Sequence, residues 1–287
     1  LVAECGQHFQ QASADRAIRI ARRFLAHFGL IAADDWAPPA PAQRYQLLQT
    51  VVIQTPEFRF TRPLTPVLWT AAAVLLAVGT WLSFTVPADY QQGDTVRIMF
   101  VHVPAASVGL MIYGALGVSS FFALVFRHPL ADAAARAAAL PGAAYTALAL
   151  ATGSLWGKPM WGAWWAWGDA RLMSVLILFL FYLGYMALRA SIDDEQKGAR
   201  AAAVLGLVGL INLPIVKFSV DWWNTLHQPA SLMRADGPSM SAVYLTPLLL
   251  MMAAYGALFL AIWLTSIRTE IVRRRVVSIR ARRALEA

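Results

Sequence analysis

Long apolar stretches, separated by short polar or proline-containing segments, make up most of this chain. About 18 or more apolar residues in a row are enough to cross a bilayer as a helix. The pattern predicts six such spans, at about 64–86, 104–126, 138–156, 172–190, 201–219 and 241–266. We therefore expect an all-α integral membrane protein with six transmembrane helices, the second beginning at Pro104.

The composition supports a membrane protein, and the residue types and motifs that are missing exclude several kinds of functional site. Hydrophobic residues make up 59% of the chain and charged residues only 14%, whereas soluble domains carry about 25% charged residues. The single cysteine, Cys5, excludes a disulfide or a Cys-x-x-Cys redox site within the chain. The chain has no phosphate-binding glycine loop, serine nucleophile motif or His-Glu zinc motif, so nothing in it supports hydrolytic catalysis.

Lysine and arginine lie mainly on the side of the membrane that carries both termini. Cytoplasmic segments are enriched in these residues, so both termini are predicted to be cytoplasmic. The loops at about 87–103, 157–171 and 220–240 then face outward. Cytoplasmic loops also explain the net charge of +8 better than nucleic-acid binding does. The cations on the terminal side are Arg59, Arg62, Arg127, Arg136, Arg189, Lys197, Arg200, Arg268, Arg273, Arg274, Arg275, Arg280, Arg282 and Arg283.

The two ends of the chain differ from the six-span domain at about 56–270. Residues 1–55 hold a short basic amphipathic segment at 15–31, followed by a loop rich in proline and alanine. We expect a poorly ordered cytoplasmic extension; the alternative is a helix that lies on the anionic inner leaflet. Residues 271–287 are predicted to form a basic cytoplasmic tail.

The second outer loop is unusually rich in tryptophan. Tryptophan collects at bilayer interfaces, so an aromatic belt is one interpretation. The density of indoles favours a platform for a large flat apolar ligand, formed either by one helical face or by a loop. The residues are Trp156, Trp161, Trp164, Trp165 and Trp167, with Asp169 and Arg171 at the rim.

Two histidines are candidates for metal ligands beside this platform. His102 is predicted in the first outer loop, and His227 in the third, next to Trp222 and Trp223. A lone histidine near a helix end is usually structural, but two imidazoles flanking an aromatic wall suit an iron porphyrin. Nearby cations could then bind the propionates; Asp169 and Arg171 could equally pair only with each other. These cations are Arg97, Lys158, Arg171 and Arg234.

Several motifs together resemble the haem exporter protein C family of cytochrome c maturation, whose tryptophan-rich signature is called WWD. They are WGAWWAWGDARL at 161–172, LWGKPM at 155–160, VHVP around His102, NLP at 212–214 and WWNTLHQ at 222–228. The likeness covers about residues 56–270. One residue, Gly168, is inserted before Asp169. In a helix the insertion would rotate the residues after it by about 100°, unless a loop absorbs it.

The resemblance implies that haem b is held at the periplasmic face of a bacterial inner membrane, in a site built from the outer loops. His102 and His227 would be the axial ligands, and the tryptophans with Asp169 and Arg171 would cradle the ring. The resemblance also implies that the protein delivers this haem to the periplasmic haem chaperone, protein E, and is not itself an enzyme, with possible assistance in the covalent loading of the chaperone. The other implied partners are the ABC-type subunits A and B, the small membrane protein D and the lipid bilayer. Two alternatives stay open: a b-type cytochrome subunit for electron transfer, and a purely structural membrane subunit.

Overall fold

The computed structural model describes residues 64–286, apart from 229–230, 233 and 235. The predicted extension at 1–55 lies outside the described residues, as does the last residue of the tail. In the described part the chain is helical, and two 3₁₀ turns, Asp94–Ile98 and Gly209–Ile211, lead into longer helices. The helices are α1 (Leu64–Thr85), α2 (Met99–Val125), α3 (Pro129–Trp161), α4 (Ala170–Ser191), α5 (Glu195–Val208), α6 (Asn212–Trp222) and α7 (Ala242–Glu286).

Six helical segments are long and apolar enough to cross a membrane, which confirms the predicted all-α fold with six spans. α1, α3, α4 and α7 each supply one span. The second span is Asp94–Val125, and the fifth is Glu195–Trp222, in which α5 and α6 are joined through the 3₁₀ turn.

The helices extend beyond the apolar runs that predicted them. α3 begins at Pro129, after the N-cap His128, and continues to Trp161. α7 runs through the segment predicted as a separate tail. Helical hydrogen bonds form within the backbone, so a helix does not have to end where polar side chains reach water. Hydropathy therefore located each membrane crossing but not the helix ends.

Small residues bring the central helices close together, as is common in membrane bundles. α2 packs against α3, α4 packs on α3 and α5, and α7 lies against α1, α2 and α3. A Cβ at Gly142 of α3 would overlap the Tyr182 ring of α4. The Tyr182 hydroxyl donates a hydrogen bond of 2.8 Å to the Gly109 carbonyl of α2. Three helices are thus joined around one buried tyrosine.

The fifth span changes its packing partner at the 3₁₀ turn. α5 contacts both α2 and α4, whereas α6 packs chiefly on α4. At the 3₁₀ turn Leu210 packs closely on α2, where a Cβ at Gly117 would overlap the Leu210 side chain. Asn212 fixes α6 on α4, because its side-chain amide donates to the Ser174 carbonyl at 2.8 Å. Beyond this point α6 and α2 border a cavity at one end of the bundle.

A network of ion pairs ties the helices together at the end of the bundle away from this cavity. Asp132 accepts from Arg189 of α4 and Arg274 of α7. Glu270 of α7 pairs with three arginines, two of which, Arg136 and Arg273, also pair with Glu195 of α5. Two arginines of the predicted tail region are therefore part of the folded bundle.

Asp132→Ala is expected to destabilise the bundle by about 3 kcal/mol, because it leaves the Arg189 guanidinium without its carboxylate. The Arg189 side chain is only 9% exposed, so water cannot replace the lost partner fully. The measurement is thermal unfolding of the purified protein in detergent, with the exposed Asp193→Ala as the control. Equal melting temperatures for the two variants would contradict the prediction.

Candidate functional site

A cavity of about 520 Å³ lies at the end of the bundle formed by the loops after α1, α3 and α6. Its walls come from α2, α3, α4, α6 and α7, and it reaches inward to Leu110 and Leu248. Most of the lining is apolar or aromatic, with a few polar side chains. This size and composition are typical of a site for a small organic ligand.

His102 lines the cavity from the first turns of α2, not from a loop. The loop prediction was wrong because the 3₁₀ turn Asp94–Ile98 runs directly into α2, which includes Pro104. The His102 Nδ1 lies 3.0 Å from the Ala149 carbonyl oxygen and 3.2 Å from the Thr152 hydroxyl. A carbonyl oxygen can only accept, so Nδ1 carries the proton and Nε2 keeps a free lone pair.

The His102 ring is held by its neighbours on α3. A Cβ at Gly153 would lie 2.9 Å from the His102 Cε1, so only glycine leaves room for the ring in this position. Trp156 meets the imidazole edge to face, with ring centroids 5.7 Å apart. The Trp156 indole N–H in turn donates to the Gln92 side chain at 3.1 Å. Gln92 therefore fixes the wall that supports His102.

His227 lines the cavity from the loop after α6, as predicted. Its Nδ1 lies 3.2 Å from the Asp169 Oδ1, within ion-pair distance but without the angle of a regular hydrogen bond. Burial lowers the pKa of His227, and the Asp169 carboxylate offsets this only in part. The imidazole is thus neutral at pH 7, with Nδ1 turned toward Asp169 and Nε2 available to a metal.

Asp169 is 3% exposed and does not line the cavity. It is the N-cap of α4, where Oδ1 accepts from the Leu172 N–H at 2.8 Å. Its Oδ2 accepts from the Leu226 N–H at 2.7 Å, beside His227. Burial raises the pKa of Asp169, but the two backbone N–H groups and His227 outweigh it and hold this pKa below its ordinary value. Asp169 is therefore a charged group that fixes the His227 loop.

The tryptophan-rich stretch is part helix and part loop. α3 ends at Trp161 because Gly162 adopts a left-handed conformation, with φ of 77°. The Trp161 ring meets His227 edge to face at 5.0 Å. Gly168 lies in a turn closed by the Asp169 N–H and the Ala166 carbonyl at 3.1 Å, so the loop absorbs the inserted residue. The rotation expected for a continuous helix does not arise.

The predicted tryptophans divide into two groups. Trp156, Trp161 and Trp164 line the cavity, whereas Trp165, Trp167, Trp222 and Trp223 do not. Trp164 is 57% exposed and Trp167 is 74% exposed. Trp222 stacks on Phe218 and also contacts Trp223. The stretch is therefore a cavity wall with an exposed aromatic surface beside it, not one flat slab.

Of the four cations considered as partners for ligand carboxylates, only Arg171 lines the cavity. Its Nε donates to the Ser219 hydroxyl at 3.1 Å, and its Nη2 to the Lys217 carbonyl at 3.2 Å. It forms no ion pair with Asp169 within the described residues. Arg97 pairs with Asp94, Lys158 donates to the Gly162 carbonyl, and Arg234 is exposed.

Comparison with known proteins gives a consistent result. The family model for heme exporter protein C matches residues 49–282. The chain belongs to the haem exporter protein C family. It is 59% identical to heme exporter protein C of Bradyrhizobium diazoefficiens over 75% of this chain and 82% of that protein. The identity to the Escherichia coli protein of the same name is 45%, over 71% of this chain and 81% of that protein. The chain is also 44% identical to a putative mitochondrial ccmC-like cytochrome c biosynthesis protein of Marchantia polymorpha, over 73% of this chain and 87% of that protein.

Membership of the haem exporter protein C family confirms the resemblance drawn from the motifs, but several lining residues lie outside those motifs. Gln92 is in a loop, and no local sequence pattern indicates that this loop lies close to Trp156. Asp221 directly precedes the WWNTLHQ motif at 222–228, and Lys217 lies four residues before Asp221. Their spacing of four residues puts both on one face of α6, which is the only sequence signal that links them. Which face lines the cavity depends on how α6 packs against α4.

Proposed function

We propose that this protein binds haem b in the cavity, with His102 and His227 as axial ligands, and delivers it to the periplasmic haem chaperone, protein E, during c-type cytochrome maturation. The observation that carries the proposal is the pair of imidazoles on one aromatic cavity. Each has Nδ1 turned toward an oxygen of the protein, which leaves Nε2 to bind a metal.

The residues around the cavity fit a flat apolar ligand with acid groups at one edge. Trp156, Trp161 and Trp164 supply aromatic wall, and Arg171 is the nearest guanidinium. Bound haem would bring an iron that accepts two imidazole nitrogens, and its potential would depend on those ligands and the surrounding polarity. The protein's own part is to hold, orient and release this cargo, so we assign it no enzymatic step.

The distribution of lysine and arginine supports a cavity at the periplasmic face of a bacterial inner membrane. Protein E then meets the end of the bundle that carries Trp164 and Trp167. The ABC-type subunits A and B and the small protein D, implied by the family resemblance, are the further partners. The large exposed fractions of both indoles support a protein contact, because tryptophan is enriched among residues that dominate binding energy.

One observation favours a second candidate, a b-type electron-transfer subunit. His102 lies on a membrane-spanning helix, where such subunits generally place their ligands. His227, in contrast, lies on a loop at the mouth of the cavity, which suits a cargo that must leave. Haem that stays bound when excess chaperone is added would favour the electron-transfer function.

Trp167→Ala is expected to leave haem binding intact and to weaken transfer to the purified chaperone by about tenfold to thirtyfold, the effect of losing one interface hot spot. Trp167 does not line the cavity, so the variant separates haem binding from haem delivery to the chaperone. The measurement is the amount of covalent haem on the chaperone after mixing.

The matched control is Trp81→Ala, since Trp81 is 71% exposed on α1 and does not line the cavity. If both variants load the chaperone at the wild-type level, Trp167 only anchors the protein at the bilayer interface. An equal loss in both would indicate that the indoles act through the bilayer.

A further inference from the structure

Two cations and one carboxylate form a charged edge on the otherwise apolar cavity. We propose that Arg171 and Lys217 recognise the two acid side chains of the porphyrin, and that Asp221 weakens this hold so that the cargo can leave. The inference rests on the proposed function and adds two residues, Lys217 and Asp221, to which the motifs assign no role.

The guanidinium of Arg171 is fixed at this edge by α6. Its Nε donates to the Ser219 hydroxyl and its Nη2 to the backbone carbonyl of Lys217. These bonds use two of the five N–H donors of arginine and leave the others for a ligand. Since the Lys217 backbone holds Arg171, the Lys217 side chain begins beside the guanidinium. Both residues line the cavity.

The other outer cations do not compete for this role. Lys158 bonds to the Gly162 carbonyl, and Arg97 pairs with Asp94 and contacts the Val86 carbonyl. Neither lines the cavity. Among the described residues, a ligand with carboxylates at one edge and an apolar body elsewhere thus meets its favourable charges only at Arg171 and Lys217, while the body lies against Trp156 and Trp161.

Asp221 follows Lys217 by one helical turn, so both lie on one face of α6. It also lines the cavity and is close enough to Arg171 for their charges to interact. Two positive charges and one negative charge cannot neutralise two carboxylates, and like charges at close range repel. The buried carboxylate of Asp169 also interacts with the Arg171 charge, but it is fixed beside His227 and does not line the cavity. Asp221 therefore lowers the affinity for a dicarboxylic porphyrin.

The test is a titration of the purified protein in detergent with iron protoporphyrin IX and, separately, with its dimethyl ester, followed by absorption. Wild type is expected to bind the free acid more tightly than the ester. Lys217→Gln lowers the affinity for the free acid by about threefold to fivefold, the effect of one exposed ion pair. Asp221→Asn raises it by a similar factor and slows haem loss to an apo-globin acceptor. Neither change alters binding of the ester.

Lys158→Gln is the matched control and is expected to leave both affinities at the wild-type value. If wild type binds the acid and the ester equally well and neither variant changes the affinity, this inference is overturned. Haem binding, and with it the proposed function, then still stands. Binding of neither porphyrin by wild type overturns both. Weaker binding of the free acid by Asp221→Asn would overturn the role given to Asp221.

Discussion

His102→Ala and His227→Ala are each expected to lower haem retention by more than about tenfold, because loss of a ligand costs at least as much as loss of its supporting partner. Each is also expected to abolish the low-spin six-coordinate absorption spectrum. The remaining imidazole leaves the iron with one axial ligand, and the apolar wall alone holds the ring weakly. The measurement is the oxidised and reduced spectrum of the detergent-purified protein, with haem quantified per chain.

His128→Ala is the matched control, since His128 caps α3 at the end of the bundle away from the cavity and is exposed. Added imidazole distinguishes a ligand from a structural histidine. It is expected to restore the six-coordinate spectrum of His102→Ala and His227→Ala by entering the space left by the side chain. Unchanged haem content in both variants would contradict the axial-ligand assignment, and loss that imidazole does not restore would indicate misfolding.

The sequence predicts the membrane fold well because each span depends on local hydropathy. Every apolar run corresponds to a helix or to a helical pair joined by a 3₁₀ turn. The prediction that His102 lies in a loop was wrong, also for a local reason. Pro104 suggested that the helix begins there. In the structure the 3₁₀ turn Asp94–Ile98 leads directly into α2, so the helix includes residues ahead of the proline.

The site is less predictable, because its decisive contacts join residues that are distant in the chain. His102 meets Ala149 and Thr152, and Asp169 meets Leu226 and His227. Composition shows that these residue types are present but not which atoms face each other. Asp169 illustrates the difference. From sequence it was a rim residue that could bind a propionate or pair with Arg171, whereas its burial and its contacts assign it to the positioning of His227.

Asp169→Asn is expected to lower haem affinity by about tenfold to hundredfold, the usual effect of removing a carboxylate partner from a metal-binding imidazole. Asparagine has nearly the same shape and is an equally good N-cap, so the start of α4 and the bond to Leu172 are retained. The variant removes the negative charge at the His227 Nδ1. Its NH₂ group, which replaces Oδ2, also can no longer accept from the Leu226 N–H. A less basic imidazole stabilises ferric haem less, so the haem reduction potential should also rise.

Lowering the pH is a poor substitute for this variant, because the pKa of Asp169 is already below its ordinary value and the carboxylate stays charged in mildly acidic buffer. The matched control is Asp194→Asn. Asp194 is also a helix N-cap, accepting from the Gln196 and Lys197 N–H groups, but it is exposed at the start of α5. Equal affinity and potential for the two variants would restrict Asp169 to capping α4. Reduced affinity with an unchanged potential would mean that Asp169 only places the His227 loop, since a change in imidazole basicity must also alter the potential.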